Sequence, residues 1–522
     1  MKPVAARRLL LWLGAGSFWR TWLAAWLLLV GLMLCWTVAS PLLSSPDEPA
    51  HSLRAVSLVR GQLLGGDVSG PGNQALTRVR VPQGYAQPAA IPGCFKHQSE
   101  VPAGCAYPAP GSSRLVSTTS SVGRYPPLYY ALVGWPSLLT SNPVGFYLMR
   151  TLSALENAAL LALAFATARR WGSSLLPSAI AVAATPLAIY LSGVINPSGM
   201  EITSAILLWT AAVVIVRSHP IRPPRPLIAM AAGATIVLIS MRAISLLWPV
   251  ILAAVLLPVA FHAVDWRRWI RDRWILGCSA AVAVVGIFNL AWIFAANALA
   301  VVPNYPVPHS LSAIIRYTTS SLPAQYQQAI GNFGWLDAPA PWLTWQLWTV
   351  MAAVLLTIGI LIGSRRWRWT LLLTAAVGIV VPIVLGVAEA PSAGYISQGR
   401  YWLPILVGVP IVAAGMLQPR SEPVTVLWRV RLFVAVGVAV SQVLCFWWTL
   451  HRYLVGMSGP LFGLGHNPSA WHSPVPWYLL DLIVVGLGVL YGRYILRLGG
   501  FSSAAPLAGE ALAQGAGQGR AG

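Results

Sequence analysis

The sequence predicts an all-α polytopic membrane protein with about twelve transmembrane helices and a large first outer loop. Three observations point there. The chain is 57% hydrophobic and only 9% charged, with 25 Trp in 522 residues; a soluble protein of that size could not hide so much apolar surface. Apolar runs near the ~20 residues needed to cross a bilayer recur along the chain. The 34 Lys and Arg cluster between those runs on alternate sides, as expected of cytoplasmic loops. The net charge of +21 is therefore read as positive-inside loops and contact with anionic lipid, not as nucleic-acid binding.

Met1 to Arg20 is basic and expected in the cytoplasm, followed by an uncleaved first span from about Trp22 to Ala39. Residues 40–142 form the first outer loop, the longest polar segment, and loops of that length are usually functional or disordered. Further spans are expected at about Pro143–Thr167, Leu175–Ser192 and on to Val216, with Arg169, Arg170, Arg217, Arg222 and Arg225 inside. Two more fill Leu227 to Phe261, hinged outside near Ser240-Met241-Arg242. After Arg267–Arg273, a seventh runs from about Trp274 to Ala298 into the second outer loop, residues 299–341. Five more end at Arg365, Glu389, Arg420, His451 and Arg493, with His466 and His472 outside. Residues 1–500 thus read as one transmembrane domain with both termini cytoplasmic. The Gly- and Ala-rich residues 501–522 read as a disordered cytoplasmic tail.

Cys35, Cys278 and Cys445 fall in spans, where a thiol is a small apolar filler. Cys94 and Cys105 share the first outer loop, which faces an oxidising compartment on this topology. A disulfide there would contribute about 3 kcal/mol by loop entropy. A zinc site with His97 is the rival, with poor spacing.

The working centre is expected at Pro46-Asp47-Glu48-Pro49-Ala50-His51. Acids are scarce, 13 in all, and two stand together where the chain leaves the first span. Such a pair is either a solvated turn capped by Asp47 or a catalytic base taking a proton from an acceptor hydroxyl. In the second case one carboxylate faces substrate and the other is held by a cation or an Arg. His51 and Arg54 follow at helical spacing. Asp47, Glu48 and His51 could also hold a divalent cation; no cofactor is otherwise indicated.

Tyr125 opens Tyr-Pro-Pro-Leu-Tyr-Tyr, either an aromatic belt anchor or the wall of a sugar or lipid groove. Glu201 ends Asn196-Pro197-Ser198-Gly199-Met200-Glu201, where a carboxylate suits a helix start. Arg242, inside a long apolar stretch, would cost about 2.5–3.5 kcal/mol at mid-membrane, so it is placed at the outer hinge facing a cavity or an anion. Glu156 is similarly expensive and needs a partner. Asp337 closes the Gly331–Asp337 loop. Gln398, Arg400 and Tyr401 begin the tenth span on the outer side, where Arg400 either snorkels to headgroups or donates to a lipid phosphate.

In order, PDEPAH, RYPPLYY, NPSGMEI, GNFGWLD and QGRYWLP resemble a bacterial membrane-protein family, the domain-of-unknown-function family DUF2142, from about Pro41 to Pro404. The cysteine pair resembles that of its actinobacterial members. The chain departs from the family pattern at Met200-Glu201, where a Ser-Gly-Asp-like turn is usual, and at Arg242-Ala243, where Lys-Pro is common. The family in turn resembles the GT-C superfamily of polytopic glycosyltransferases, which use polyprenyl-phosphate sugars. That resemblance implies a GT-C-like domain in the bacterial plasma membrane. It makes Asp47 the general base, Glu48 its neighbour and Arg400 a donor-phosphate ligand, with an envelope glycan or glycolipid as acceptor. No Walker loop or dinucleotide glycine motif competes with that reading. The alternatives are a transporter or flippase of lipid-linked sugars and a non-catalytic scaffold of envelope assembly.

Overall fold

The computed structural model describes residues 3–69, 75–105, 111–218, 221–300, 310–417, 424–461 and 471–500. The expected disordered tail and His466 lie outside them. The chain is mostly helical, and among the described residues nine helices are long and apolar enough to cross a membrane. They are Phe18–Ala39, Pro143–Trp171, Pro197–Ser218, Ala243–Ala263, Arg273–Ala295, Trp342–Ile362, Arg365–Ala393, Val426–Val455 and Trp477–Gly499.

The other three expected spans are short or broken. Leu176–Ala183 stops before Pro186, and Pro186–Ser192 restarts with Thr185 Oγ1 accepting from Ala188 N at 3.2 Å. Arg225–Ile239 is 15 residues long. The tenth segment divides into Leu403–Leu406 and Gly408–Gly415. Hydropathy cannot separate these from spans, because two of the three are apolar for a different reason: they are packed inside protein. Interrupted helices at membrane depth are tolerated where protein covers the freed backbone groups. Trp209 shows the covering directly, donating through Nε1 to Pro404 O at 3.0 Å. A side chain at Gly408 would collide with the Trp209 ring, 2.5 Å from its Cε2.

Pro197–Ser218 is the axis of the bundle, with 94% of its apolar window buried, whereas Arg273–Ala295 has 11% and presents Ile287, Phe288 and Phe294 outward. Glu156 lies part-way along Pro143–Trp171, and its buried Oε2 has no hydrogen-bond partner.

At one end of the bundle the first long loop folds into a cap. Antiparallel strands Gly66–Asp67, Thr77–Pro82 and Leu115–Ser120 form a three-stranded sheet. With helices Glu48–Leu58 and Leu128–Gly134 it encloses a core that includes Leu53, Val56, Val79, Val81, Tyr129 and Phe146. Cys94 and Cys105 form a disulfide, as expected. The second long loop contributes helices Leu311–Ser320 and Leu322–Gly331 and a ribbon of Asn332–Phe333 with Ala338–Pro339. Gly334 turns that ribbon at φ +60°, and a Cβ there would lie 2.3 Å from Asp337 Oδ1. Among the described residues, turns expected outside meet at this end: Ile195 N reaches Glu48, Ala296 O reaches Arg124, and Arg452 reaches Phe95 O.

Candidate functional site

The two adjacent acids have opposite fates. Asp47 sits at the start of helix Glu48–Leu58 in a left-handed conformation, φ 60°, which Asp tolerates better than most residues. Glu48 is fully buried, gripped in a fork by Arg150, with Nε to Oε1 and Nη2 to Oε2 both 2.7 Å. The amides of Ile195 (3.0 Å) and Ser45 (3.4 Å) also donate to it. Arg150 spends its remaining donors on the carbonyls of Thr37, Ser40 and Pro41 at 2.8–2.9 Å, where the first helix ends and its carbonyls need partners. Asn196 Nδ2 donates to Pro46 O at 2.9 Å. The first-loop motif and the Asn-Pro-Ser-Gly turn are thereby locked together.

The Asp47 side chain is 44% exposed. Behind it Arg400, nearly buried, donates to its Oδ2 at 2.5 Å and to Tyr401 Oη at 3.2 Å. Burial pushes the Asp47 carboxyl up, but Arg400, aided by Arg242, outweighs it and holds the acid below its usual range. His51 is buried and shares a 2.8 Å hydrogen bond with Tyr130 through Nδ1. Burial, reinforced by Arg400 and Arg242 and only partly opposed by Asp47, brings its imidazole down to about 3. His51 is therefore neutral at ordinary pH.

Arg242 lies with its guanidinium 4.4 Å from the Tyr401 ring centre and 5.9 Å from that of Tyr125. Glu201 anchors this hinge: its Oε1 accepts from Ser245 Oγ (2.6 Å) and Trp248 Nε1 (2.7 Å), and its Oε2 is 3.9 Å from Arg242. Although burial works against the charge, the tyrosines and Glu201 keep Arg242 firmly protonated.

These groups open on a cavity of about 890 Å³, at the upper end of the small-ligand range. Asp47, Lys96, Tyr125, Arg242, Gln398 and Tyr401 furnish its polar wall. Ile244, Trp248, Pro382, Leu385 and Ile405 furnish an apolar wall from the bundle helices. Lys96 Nζ stands 3.7 Å over the Trp335 ring.

Of the residues expected at the site, the cavity wall takes Asp47, Tyr125, Arg242, Gln398 and Tyr401. Six others stand behind it. Glu48 is the buried ion-pair partner of Arg150 and does not line the cavity. His51 is turned to Tyr130. Arg54 donates to the carbonyls of Leu63 (2.9 Å) and Tyr125 (3.1 Å) and so shapes the loop. Glu201 braces Arg242. Asp337 is buried and pairs with Arg452 at 2.8 Å, also accepting from the amides of His97 and Trp335 at 3.1 Å. Arg400 backs Asp47 instead of facing the cavity, so the expected phosphate ligand is already engaged. The proposed cation ligands do not converge either, because Arg150 occupies both Glu48 oxygens; among the described residues no three His, Cys, Asp or Glu group together as a metal site.

Sequence reasoning missed Lys96, Trp335 and Arg150 at the site. Lys96 carried one signal: it is one of only two lysines, two residues beyond Cys94.

The family model described as "Predicted membrane protein (DUF2142)" matches residues 28–409. No curated protein and no solved structure gives a significant match.

Proposed function

The chain belongs to the DUF2142 family of predicted membrane proteins, and we propose that it is a GT-C-like glycosyltransferase. In this reading it moves a sugar from a polyprenyl-phosphate donor to a cell-envelope glycan or glycolipid, at the extracytoplasmic face of the plasma membrane. The observation that carries the reading is the two-sided cavity, with a half-exposed carboxylate and two cations on one wall and an apolar surface from the bundle on the other. A lipid-linked sugar has that division. Its prenyl end suits Ile244, Leu385 and Ile405, and its phosphate suits Arg242 and Lys96. The Cys94–Cys105 disulfide and the arginine-rich turns at the other end of the bundle support the orientation.

The acceptor oxygen attacks the anomeric carbon as the bond to the donor phosphate breaks. Polyprenyl phosphate leaves with the bonding electrons, and the acceptor proton passes to Asp47. A single displacement inverts the anomeric centre. Arg400 makes Asp47 a weak base, but the hydroxyl loses its proton only as its new bond forms, and an acid ionised throughout the working range suffices. Arg242 and Lys96 stabilise charge growing on the departing phosphate.

The test is transfer by purified protein from radiolabelled polyprenyl-phosphate sugars, with Arg242→Gln beside wild type. Loss of a charged hydrogen-bond donor worth about 1.5–3 kcal/mol should raise the donor KM roughly 10- to 100-fold and leave the acceptor KM in place. No transfer from any donor, with movement of lipid-linked sugar across liposomes by the same preparation, would replace this reading with a transporter.

The pH profile is a second check. An acid with a lowered pKa stays ionised until the pH falls below that value, and His51 stays neutral above about 3. The acid limb of kcat/KM should therefore lie below the ordinary carboxylate value of about 3.9, leaving a plateau through neutrality. An inflection near pH 6.5 that vanishes in His51→Gln would contradict the assignment.

A further inference from the structure

We infer that a side chamber of the main cavity is a binding subsite for one uncharged sugar ring. The inference rests on the glycosyl-transfer reading for its purpose, but its geometry is separate from Asp47. The chamber has a volume of about 140 Å³, room for one ring and not for an extended glycan. Tyr317, Gln328, Glu389, Tyr395 and Ser397 line both spaces, so the two adjoin.

Its chemistry differs from that of the main cavity. Neither Arg242 nor Lys96 lines it, nor does any other Arg or Lys, and its one charged lining residue is Glu389. With no Arg or Lys in the lining an anionic phosphate finds no donor cation there, whereas sugar hydroxyls donate well to a carboxylate. The amides of Gln325 and Gln328 and the hydroxyls of Thr318, Ser321 and Ser397, with those of the two tyrosines, supply the remaining polarity. Gln325 is nearly buried and held at both ends: Ser397 Oγ donates to its Oε1 at 2.9 Å, and its Nε2 donates to Ser321 Oγ at 2.7 Å. Gln328 Oε1 accepts from Gly399 N at 3.1 Å, which fixes that amide and leaves Nε2 as its donor. The rings of Tyr317 and Tyr395 stack at 3.8 Å between centres, a rigid aromatic pair whose outer ring face can receive the C–H face of a sugar.

The chamber is also tied to the reacting centre. Gly399 packs so closely on helix Leu322–Gly331 that a Cβ would lie 2.1 Å from Gln325 O. The next residue is Arg400, which holds Asp47. A ring seated in the chamber is thus registered to the carboxylate through one rigid joint.

The test is saturation-transfer NMR with methyl glycosides of common neutral hexoses and pentoses, run on the full chain in detergent, beside donor and acceptor KM values. Saturation should pass to ring protons of at least one glycoside with wild type. It should disappear in Tyr395→Ala and fall at least fivefold in Glu389→Gln. Both variants should raise one KM tenfold or more: the acceptor's if the ring belongs to the acceptor, the donor's if it is the transferred sugar. No saturation of any glycoside, or equal saturation in wild type and both variants, would overturn the subsite. Transfer with both KM values unmoved in both variants would remove the subsite and leave the transferase. Glycoside binding abolished by the variants, in a protein that transfers from no donor, would keep the subsite and remove the transferase.

Discussion

Asp47→Asn should lower sugar transfer by about 10²-fold or more, the usual contribution of a positioned general base, with little change in either KM. The amide has the same shape and can still accept from Arg400, so the nearly buried guanidinium keeps a partner and the fold should survive. What is lost is the ability to take a proton at the half-exposed oxygen facing the cavity. Asp47→Glu keeps the charge but moves the carboxylate out by one methylene, and it should recover little, because a displacement of about 1 Å can cost 10²-fold. Folded Asp47→Asn protein with transfer within tenfold of wild type would exclude Asp47 as the base.

Glu48→Gln should do the opposite: cost stability first and activity only through it. Arg150 would keep three carbonyl acceptors but lose its counter-charge where no water reaches it. Breaking a buried pair by removing one member costs about 3–5 kcal/mol, to be read as a lowered denaturation midpoint or loss of folded yield. Arg150→Met should cost as much, stranding the carboxylate with the amides of Ile195 and Ser45. The double variant Glu48→Gln/Arg150→Met should lose less than the sum of the two by about 1 kcal/mol or more, since coupled neighbours are not additive. A Glu48→Gln protein as stable as wild type but without transfer would return Glu48 to the chemistry.

The contrast between these two acids marks how far the sequence could be read. Scarcity and position drew attention to the pair; in the structure an Arg meets each acid, Arg150 on buried Glu48 and Arg400 on Asp47, and only Asp47 opens on the cavity. Which acid does which depends on the left-handed backbone at Asp47, and no residue pattern announces it. Arg150 was invisible because it sits in an apolar span of a chain with 32 Arg, where a single Arg carries little weight. Arg242 could be placed by its cost in the membrane, whereas Arg400 could not be told from a cavity ligand until its contact with Asp47 was seen. The broken helices were hidden for a related reason. Hydropathy reports that Leu176–Ser192 avoids water, not whether lipid or protein replaces it.

Arg452 carries a consequence for the order of assembly. From helix Val424–Val455 it donates to the carbonyls of Phe95, Gln98 and Val101, and Met457 N donates to Ser99 O. The strand of chain bearing Lys96 is therefore seated by a segment synthesised some 350 residues later. The Cys94–Cys105 link is local, only 11 residues apart, and needs no later segment in order to close. The cavity wall does. Until the late helix inserts, an early, already cross-linked loop must wait without its anchor while most of the bundle forms beneath it. Contacts between segments so far apart in sequence form slowly, so this part of the cavity wall should be among the last to settle.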